Sequence, residues 1–251
     1  MIKKCIKISI CFLVAGGIGL LLYPFISQWI YDYNASKAIK SFEMKIEQRQ
    51  RKEMGVDLTA ENGMNPIKKN EKIVYLIDLY NQMQEYNTSL FKNGQDGFSD
   101  AWSYQTESFD LTQWGFEDNI IGTIEIPKME IKLPLYLGAN NENMKKGAVH
   151  LTETSLPIGG ENTNCVIAAH RGYSSALMFR DIEELQLEDE VYLSNPWEIL
   201  TYRVVEIKII RPNEIGEVLI QPDRDLITLI TCHPYRFNYQ RYVVYCEKVN
   251  E

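Results

Sequence analysis

Between residues 119 and 249 the sequence is cut into short β-branched, apolar runs by proline, glycine and asparagine, and that punctuation leaves few folds open. The runs cover 120–126, 129–136, 165–170, 191–193, 199–210, 226–232 and 239–249. In the second, Ile131, Leu133 and Leu135 alternate, as in a strand with one buried face. Only 176–185 reads as a helix, with Met178, Phe179, Ile182 and Leu185 along its inner side. That is too few helices for alternating βα units. Seven or eight strands with turns between them predict a mainly β fold, a closed eight-stranded barrel over 119–251.

Upstream, residues 8–31 form a run of 24 without a charge. About 20 helical residues cross a bilayer core. Lys3, Lys4 and Lys7 precede the run, so the positive-inside rule keeps 1–7 as a cytoplasmic tail and places the β domain outside the cell. A cleaved signal peptide competes with this reading. Against it, the run is long for a signal's apolar region and no A-x-A site follows. A single-pass transmembrane anchor at 8–31 is therefore expected, with Trp29, Tyr31 and Tyr33 at the outer interface.

Residues 32–69 read as a charged, helical, solvated stalk or linker, interrupted at Gly55 and Asn62-Gly63. The next stretch, 70–118, divides into a helix and a lid-like segment. The helix starts at Asn70 as its N-cap, carries Ile73, Leu76, Ile77, Tyr80, Met83 and Leu90 on one face, and stops at Asn93-Gly94. Residues 98–117 are polar and aromatic without a period, which suits a cover better than a plain linker.

The run 226–232 ends in Cys232, and His233-Pro234 stops the ladder. A thiol at the mouth of a buried strand is a candidate nucleophile if a base and a charge stabiliser reach it. Arg241 opens the next strand nine residues on, so a hairpin returns it beside Cys232. Of the three histidines, His170 ends another apolar run. His150 reads as a loop residue after Gly147, and His233 points to the face opposite its neighbour's thiol. Cys165 stands five before His170 and Cys246 five after Arg241, so if His170 and Arg241 face the site, parity turns both thiols to the other face, as core residues rather than resolving thiols. Five cysteines, two of them in the N-terminal apolar segment, do not make a disulfide framework. No zinc-ligand spacing occurs, so neither a metal nor a cofactor is expected. A net charge of −8 argues against a nucleic-acid partner.

Thr228-Leu229-Ile230-Thr231-Cys232, with Arg241 nine residues on and Ala169-His170-Arg171-Gly172 upstream, resembles the signature of sortases, the extracellular cysteine transpeptidases of Gram-positive bacteria. The resemblance covers residues 70–249 and includes Ile124-Glu125-Ile126-Pro127-Lys128, Leu133-Pro134-Leu135-Tyr136 and Leu156-Pro157-Ile158-Gly159-Gly160. It is strongest to class C, the pilin-polymerising sortases with N-terminal helices, and it makes the predicted barrel a sortase-type one. The resemblance implies that Cys232 attacks the Thr–Gly bond of a Leu-Pro-x-Thr-Gly-like C-terminal sorting signal. His170 is implied as general acid and base, and Arg241 as donor to the oxyanion or the substrate backbone. Thr231 is either a substrate contact or a strand residue in the opposite layer. The implied acceptor is a pilin lysine. Attachment of surface proteins to the cell-wall precursor is an alternative, and a catalytically silent, membrane-tethered binding barrel another. Asp100-Ala101-Trp102 stands where class C members carry an Asp-Pro-Phe or Asp-Pro-Trp lid over the site, here without the proline.

Overall fold

The computed structural model describes residues 2–53, 76–97, 109–116, 118–173 and 176–249. Its strands are β1 (Ile120–Ile126), β2 (Ile131–Leu137), β3 (Ala148–His150), β4 (Thr163–Ala168), β5 (Glu190–Ser194), β6 (Ile199–Ile210), β7 (Asp225–His233) and β8 (Gln240–Lys248). Its helices are α1 (Ile2–Glu53), α2 (Ile77–Asn93) and α3 (Asn141–Lys146). The eight strands close a barrel in the order β1-β2-β3-β4-β7-β8-β6-β5. Two of the pairings, β2 with β3 and β4 with β7, are parallel, and the rest are antiparallel. Closure is made between β1 and β5, where the Ser194 carbonyl comes so near Gly122 that any Cβ there would overlap it.

The barrel expected from the turn residues is therefore present, with two local differences. His150 is the last residue of β3, a three-residue strand wedged between β2 and β4, rather than a loop residue. Residues 176–185 form no α-helix. Ala176 pairs with Tyr173, Met178 adopts a positive φ of 44°, and only Ile182–Glu184 make a short 3-10 turn. The four apolar side chains assigned to an inner face are buried all the same. Their spacing recorded burial correctly, while Phe179 N, bonded to the His170 carbonyl at 3.0 Å, bends the chain back toward β4.

The N-terminal region departs further from expectation. α1 is one continuous 52-residue helix that crosses the expected boundary between anchor and stalk. Past the apolar run it is not solvated on every side: Ala35, Ile39, Phe42 and Ile46 recur at three-to-four spacing and are buried. Phe42 meets Phe116 at 5.9 Å between ring centres, and Arg49 lies over the same Phe116 ring. Lys45 pairs with Asp118 at 3.0 Å, and Lys132 reaches Glu43 at 3.7 Å. In α2 the buried stripe is Leu79, Met83, Asn87 and Leu90, following a buried Leu76, whereas Ile77 is exposed. The polar member of that stripe is satisfied by the barrel, since Asn87 both donates to the Leu156 carbonyl and accepts from its N–H. Asn70 and Ile73, expected at the start of this helix, lie outside the described residues.

Candidate active site

Strand register assembles the site. Across β4, β7 and β8, Ala168 faces Ile230 and Ile230 faces Val243. Two residues further along, on the same side of the sheet, stand His170, Cys232 and Arg241. Cys232 and Arg241 are direct cross-strand partners. The β4–β7 ladder runs one bond beyond β4, with Ala169 N donating to the Ile230 carbonyl at 3.4 Å, so His170 leaves the sheet level with Cys232. The adjacent row, Cys165–Ile227–Cys246, lies on the other side. Both of its thiols are buried, and burial pushes both above the usual thiol range, so they stay protonated.

Cys232 is half-buried while Arg241 is only 4% exposed. Arg241 Nη1 lies 4.0 Å from Cys232 Sγ and donates to the carbonyls of Asn238 and Gln240 at 2.8 and 2.9 Å. Those two bonds hold a planar donor fork beside the sulfur at the mouth of the hairpin. The His170 ring stacks on Tyr173, 5.0 Å between centres and 16° from parallel. Burial disfavours its cation and lowers its pKa below the usual value.

Thr231 alternates with Cys232 along β7 and falls on the Ile227 side, so its side chain points away from the Cys232 thiol. Its hydroxyl is wholly buried and donates to the Ala169 carbonyl at 2.7 Å. Of the two readings of this residue, the geometry fits the strand residue in the opposite layer, where it clasps the end of β4 to β7. Asp100 and Trp102 lie outside the described residues.

The motif drew no attention to Arg171, whose side chain is 4% exposed and braces the back of the site. Arg171 contacts Glu183 at 2.7 Å, His233 Nδ1 at 2.9 Å and the Cys232 carbonyl at 3.5 Å, and lies over the Tyr242 ring. Glu183 also approaches His233 Nδ1, at 3.1 Å. The signal was present in the sequence as an arginine directly after the histidine, but its partners are brought in by the irregular 176–185 segment. Arg171→Ala will leave the Glu183–His233 contact without its cation and lower the free energy of unfolding by about 2 kcal/mol in urea titrations.

His150 is removed from the site. It is buried, with Nε2 within 3.1–3.2 Å of the Thr154 hydroxyl and the carbonyls of Thr154 and Ser155. Burial lowers its pKa to about 4 despite those carbonyls. The unfolded chain binds a proton on this residue below pH ~6.5 that the folded chain refuses until about pH 4. Stability will therefore fall with pH across that window, by roughly 3 kcal/mol from this residue, and level off below it. Urea titrations at pH 7, 5.5 and 4.5 on the parent and on His150→Asn check this: the variant lacks that share of the slope.

A family model described as a sortase domain matches residues 124–249, half of the chain. The chain belongs to the sortase family. Among curated relatives it is 31% identical over 140 residues to sortase A of Streptococcus agalactiae, covering 54% of this chain and 56% of that one. To sortase D of Bacillus subtilis it is 28% identical over 131 residues, covering 51% and 63%. The chain thus spans a little over half the length of these curated relatives. The solved structures it resembles include sortase C of Streptococcus pneumoniae, with TM-score 0.67 and 28% identity, covering 86% of this chain and 97% of that one. Sortase C of Clostridium perfringens follows with TM-score 0.62 and 32% identity, covering 86% and 99%. The fold neighbours named here are class C sortases, while the curated relatives carry the names A and D.

Proposed function

We propose that this sortase is a membrane-anchored cysteine transpeptidase that cuts a Leu-Pro-x-Thr-Gly-like sorting signal and passes the acyl group to an amine. The observation that carries the reading is the cross-strand pairing of Cys232 with Arg241, the guanidinium 4.0 Å from the thiol, with His170 two residues past Ala168, the β4 partner of Ile230. Cys232 gives its proton to His170 and its thiolate attacks the carbonyl carbon of the Thr–Gly bond. Arg241 donates to the oxyanion that forms or to the substrate backbone. His170, now a cation, protonates the glycine amine as the C–N bond breaks, leaving a thioester on Cys232. An incoming amine then attacks the thioester carbon, His170 takes its proton, and the C–S bond breaks to release the amide product and the Cys232 thiolate, which His170 reprotonates.

For the acceptor we favour a pilin lysine, which gives an isopeptide bond. The likeness to S. pneumoniae sortase C, a structure described for its pilin substrate specificity, supports this. Attachment to a cell-wall precursor is the second reading, supported by the curated relatives named sortase A. The apolar half of α1, long and apolar enough to cross a membrane, serves as the anchor, with the lysines before it cytoplasmic and the barrel outside.

The test is the intact mass of the full chain, in detergent, after mixing with a Leu-Pro-x-Thr-Gly peptide. The expected result is a mass increase equal to the acyl fragment, lost on adding an amine and absent from protein alkylated beforehand. Persistent failure to form an adduct with a library of such signals would overturn the reading. Pilin lysine peptides and stem-peptide amines, offered separately to the adduct, then separate the two acceptors.

A further inference from the structure

The barrel is tied to α1 at a depth that sets its height above a bilayer. The uncharged run of α1 ends at Tyr31, and Asp32 is the first charge after it. Two hydrogen bonds join the barrel to the helix here. Leu177 N donates to Gln28 Oε1 at 2.8 Å, and Tyr31 OH donates to the Lys146 carbonyl at 3.2 Å. Both helix residues lie within the uncharged run, not above it. At 1.5 Å of rise per residue, Gln28 stands about 6 Å short of Asp32 along the axis. A hydrocarbon core takes about 20 helical residues, and each polar interfacial layer beyond it is about 5–7 Å thick. Counted from Ile8, the core ends near Ser27. Leu177 and Lys146 therefore meet the helix at the depth of the headgroups.

The residues at this level suit that layer. Trp29 and Tyr33 are exposed on α1 and stack at 6.1 Å, an arrangement fit for the aromatic belt. Lys146 closes α3 with its side chain exposed, a cation placed for lipid phosphate. The mount is stiff, because α1 runs on without a break and buries Ala35, Ile39, Phe42 and Ile46 against the barrel side. A barrel held this way cannot stand off the surface on a flexible tether. The link to the chemistry is short as well. Leu177 lies in the segment that begins at His170, which is folded back by the Phe179 N to His170 carbonyl bond and stacked on the histidine through Tyr173.

Resting on the transmembrane reading above, we infer that the end of α3 at Lys146 and the segment at Leu177 sit in the headgroup layer of the outer leaflet, so that the His170 side of the cleft opens at the bilayer surface. The partner surface is the phospholipid headgroup region of the membrane that α1 crosses. A substrate bond offered to Cys232 then has to lie close to that surface.

The test uses the full chain in phosphatidylcholine–phosphatidylglycerol nanodiscs. Cys5→Ser, Cys11→Ser and Cys232→Ala remove the reactive thiols, and the buried Cys165 and Cys246 are left in place. A thiol-linked fluorophore is put in turn at Lys146→Cys, at Glu47→Cys, about 28 Å further along α1 than Gln28, and at Leu20→Cys within the apolar run. With a headgroup-nitroxide lipid, emission should be lost at Lys146 and kept at Glu47. With an acyl-chain nitroxide, it should be lost at Leu20. Loss at Leu20 with emission kept at Lys146 would mean that the helix spans but the barrel stands clear, which overturns this inference alone. Emission kept at Leu20 would overturn the transmembrane reading and this inference with it.

Discussion

Cys232→Ala will fold as the parent does, form no acyl adduct with a sorting-signal peptide and lose at least about 10⁴-fold in turnover. The size of the effect follows from covalent catalysis, since no other described group on that register row can form the thioester. The two remaining cysteines of the barrel are buried on the opposite side of the sheet and kept protonated by burial, so neither can substitute. Stability should change little, because the thiol is half-buried at the end of β7 and the bonds that hold that end are made by neighbours. Thr231 binds the Ala169 carbonyl, and Arg171 reaches the Cys232 carbonyl rather than the side chain. His170 adds a second expectation. Its ring is partly desolvated, so its cation is unfavourable unless a thiolate stands on the same row. Removing the thiol removes the counter-ion, and His170 titrated by NMR in Cys232→Ala should hold its proton less well than in the parent. Adduct formation by the alanine variant would place the nucleophile elsewhere and end the proposal.

The pairing of Cys232 with Arg241 was legible from a nine-residue spacing across a strand end, whereas His170 was singled out by the resemblance and not by spacing. An arginine nine residues after a thiol at a strand end is brought back beside it by a hairpin, and with His170 and Arg241 on the site face, parity sorts Cys165 and Cys246 to the far side. The barrel was legible from its turn residues. What escaped has physical reasons. β3 is three residues long, too short to show a period, and exists because β2 and β4 flank it. Residues 176–185 keep a helical spacing of apolar side chains although a positive φ at Met178 and a bridge at Tyr173–Ala176 exclude a helix. The outer half of α1 looked solvated because four small or apolar positions among many charges make a narrow stripe. That stripe gains its partners, Phe116 among them, only in the tertiary fold. Arg171 was hidden for the same reason, since Glu183 and His233 reach it from segments whose path spacing does not reveal.

Arg241→Lys will keep the fold and the positive charge yet lower kcat/KM by about 10²-fold or more, the usual cost of losing an oriented oxyanion donor. One guanidinium nitrogen of Arg241 is committed to the Asn238 and Gln240 carbonyls, at 2.8 and 2.9 Å, and the same nitrogen stands 4.0 Å from the sulfur. A guanidinium can brace the turn with one edge and still present fixed N–H groups to a reacting carbonyl with another. An ammonium has one nitrogen on a shorter, flexible stem, so bonds made to the turn carbonyls come at the expense of those to the substrate. The loss should therefore fall on kcat more than on KM, because the missing donors act where charge develops on the carbonyl oxygen rather than on the resting peptide. Thiolate formation, followed as the pH dependence of iodoacetamide alkylation at Cys232, should shift far less than turnover, since a cation remains beside the sulfur. If Arg241 were only a brace for the β7–β8 turn, the lysine variant would melt earlier but turn over the peptide nearly as fast as the parent. A variant that melts like the parent and fails in turnover assigns the residue to the chemistry.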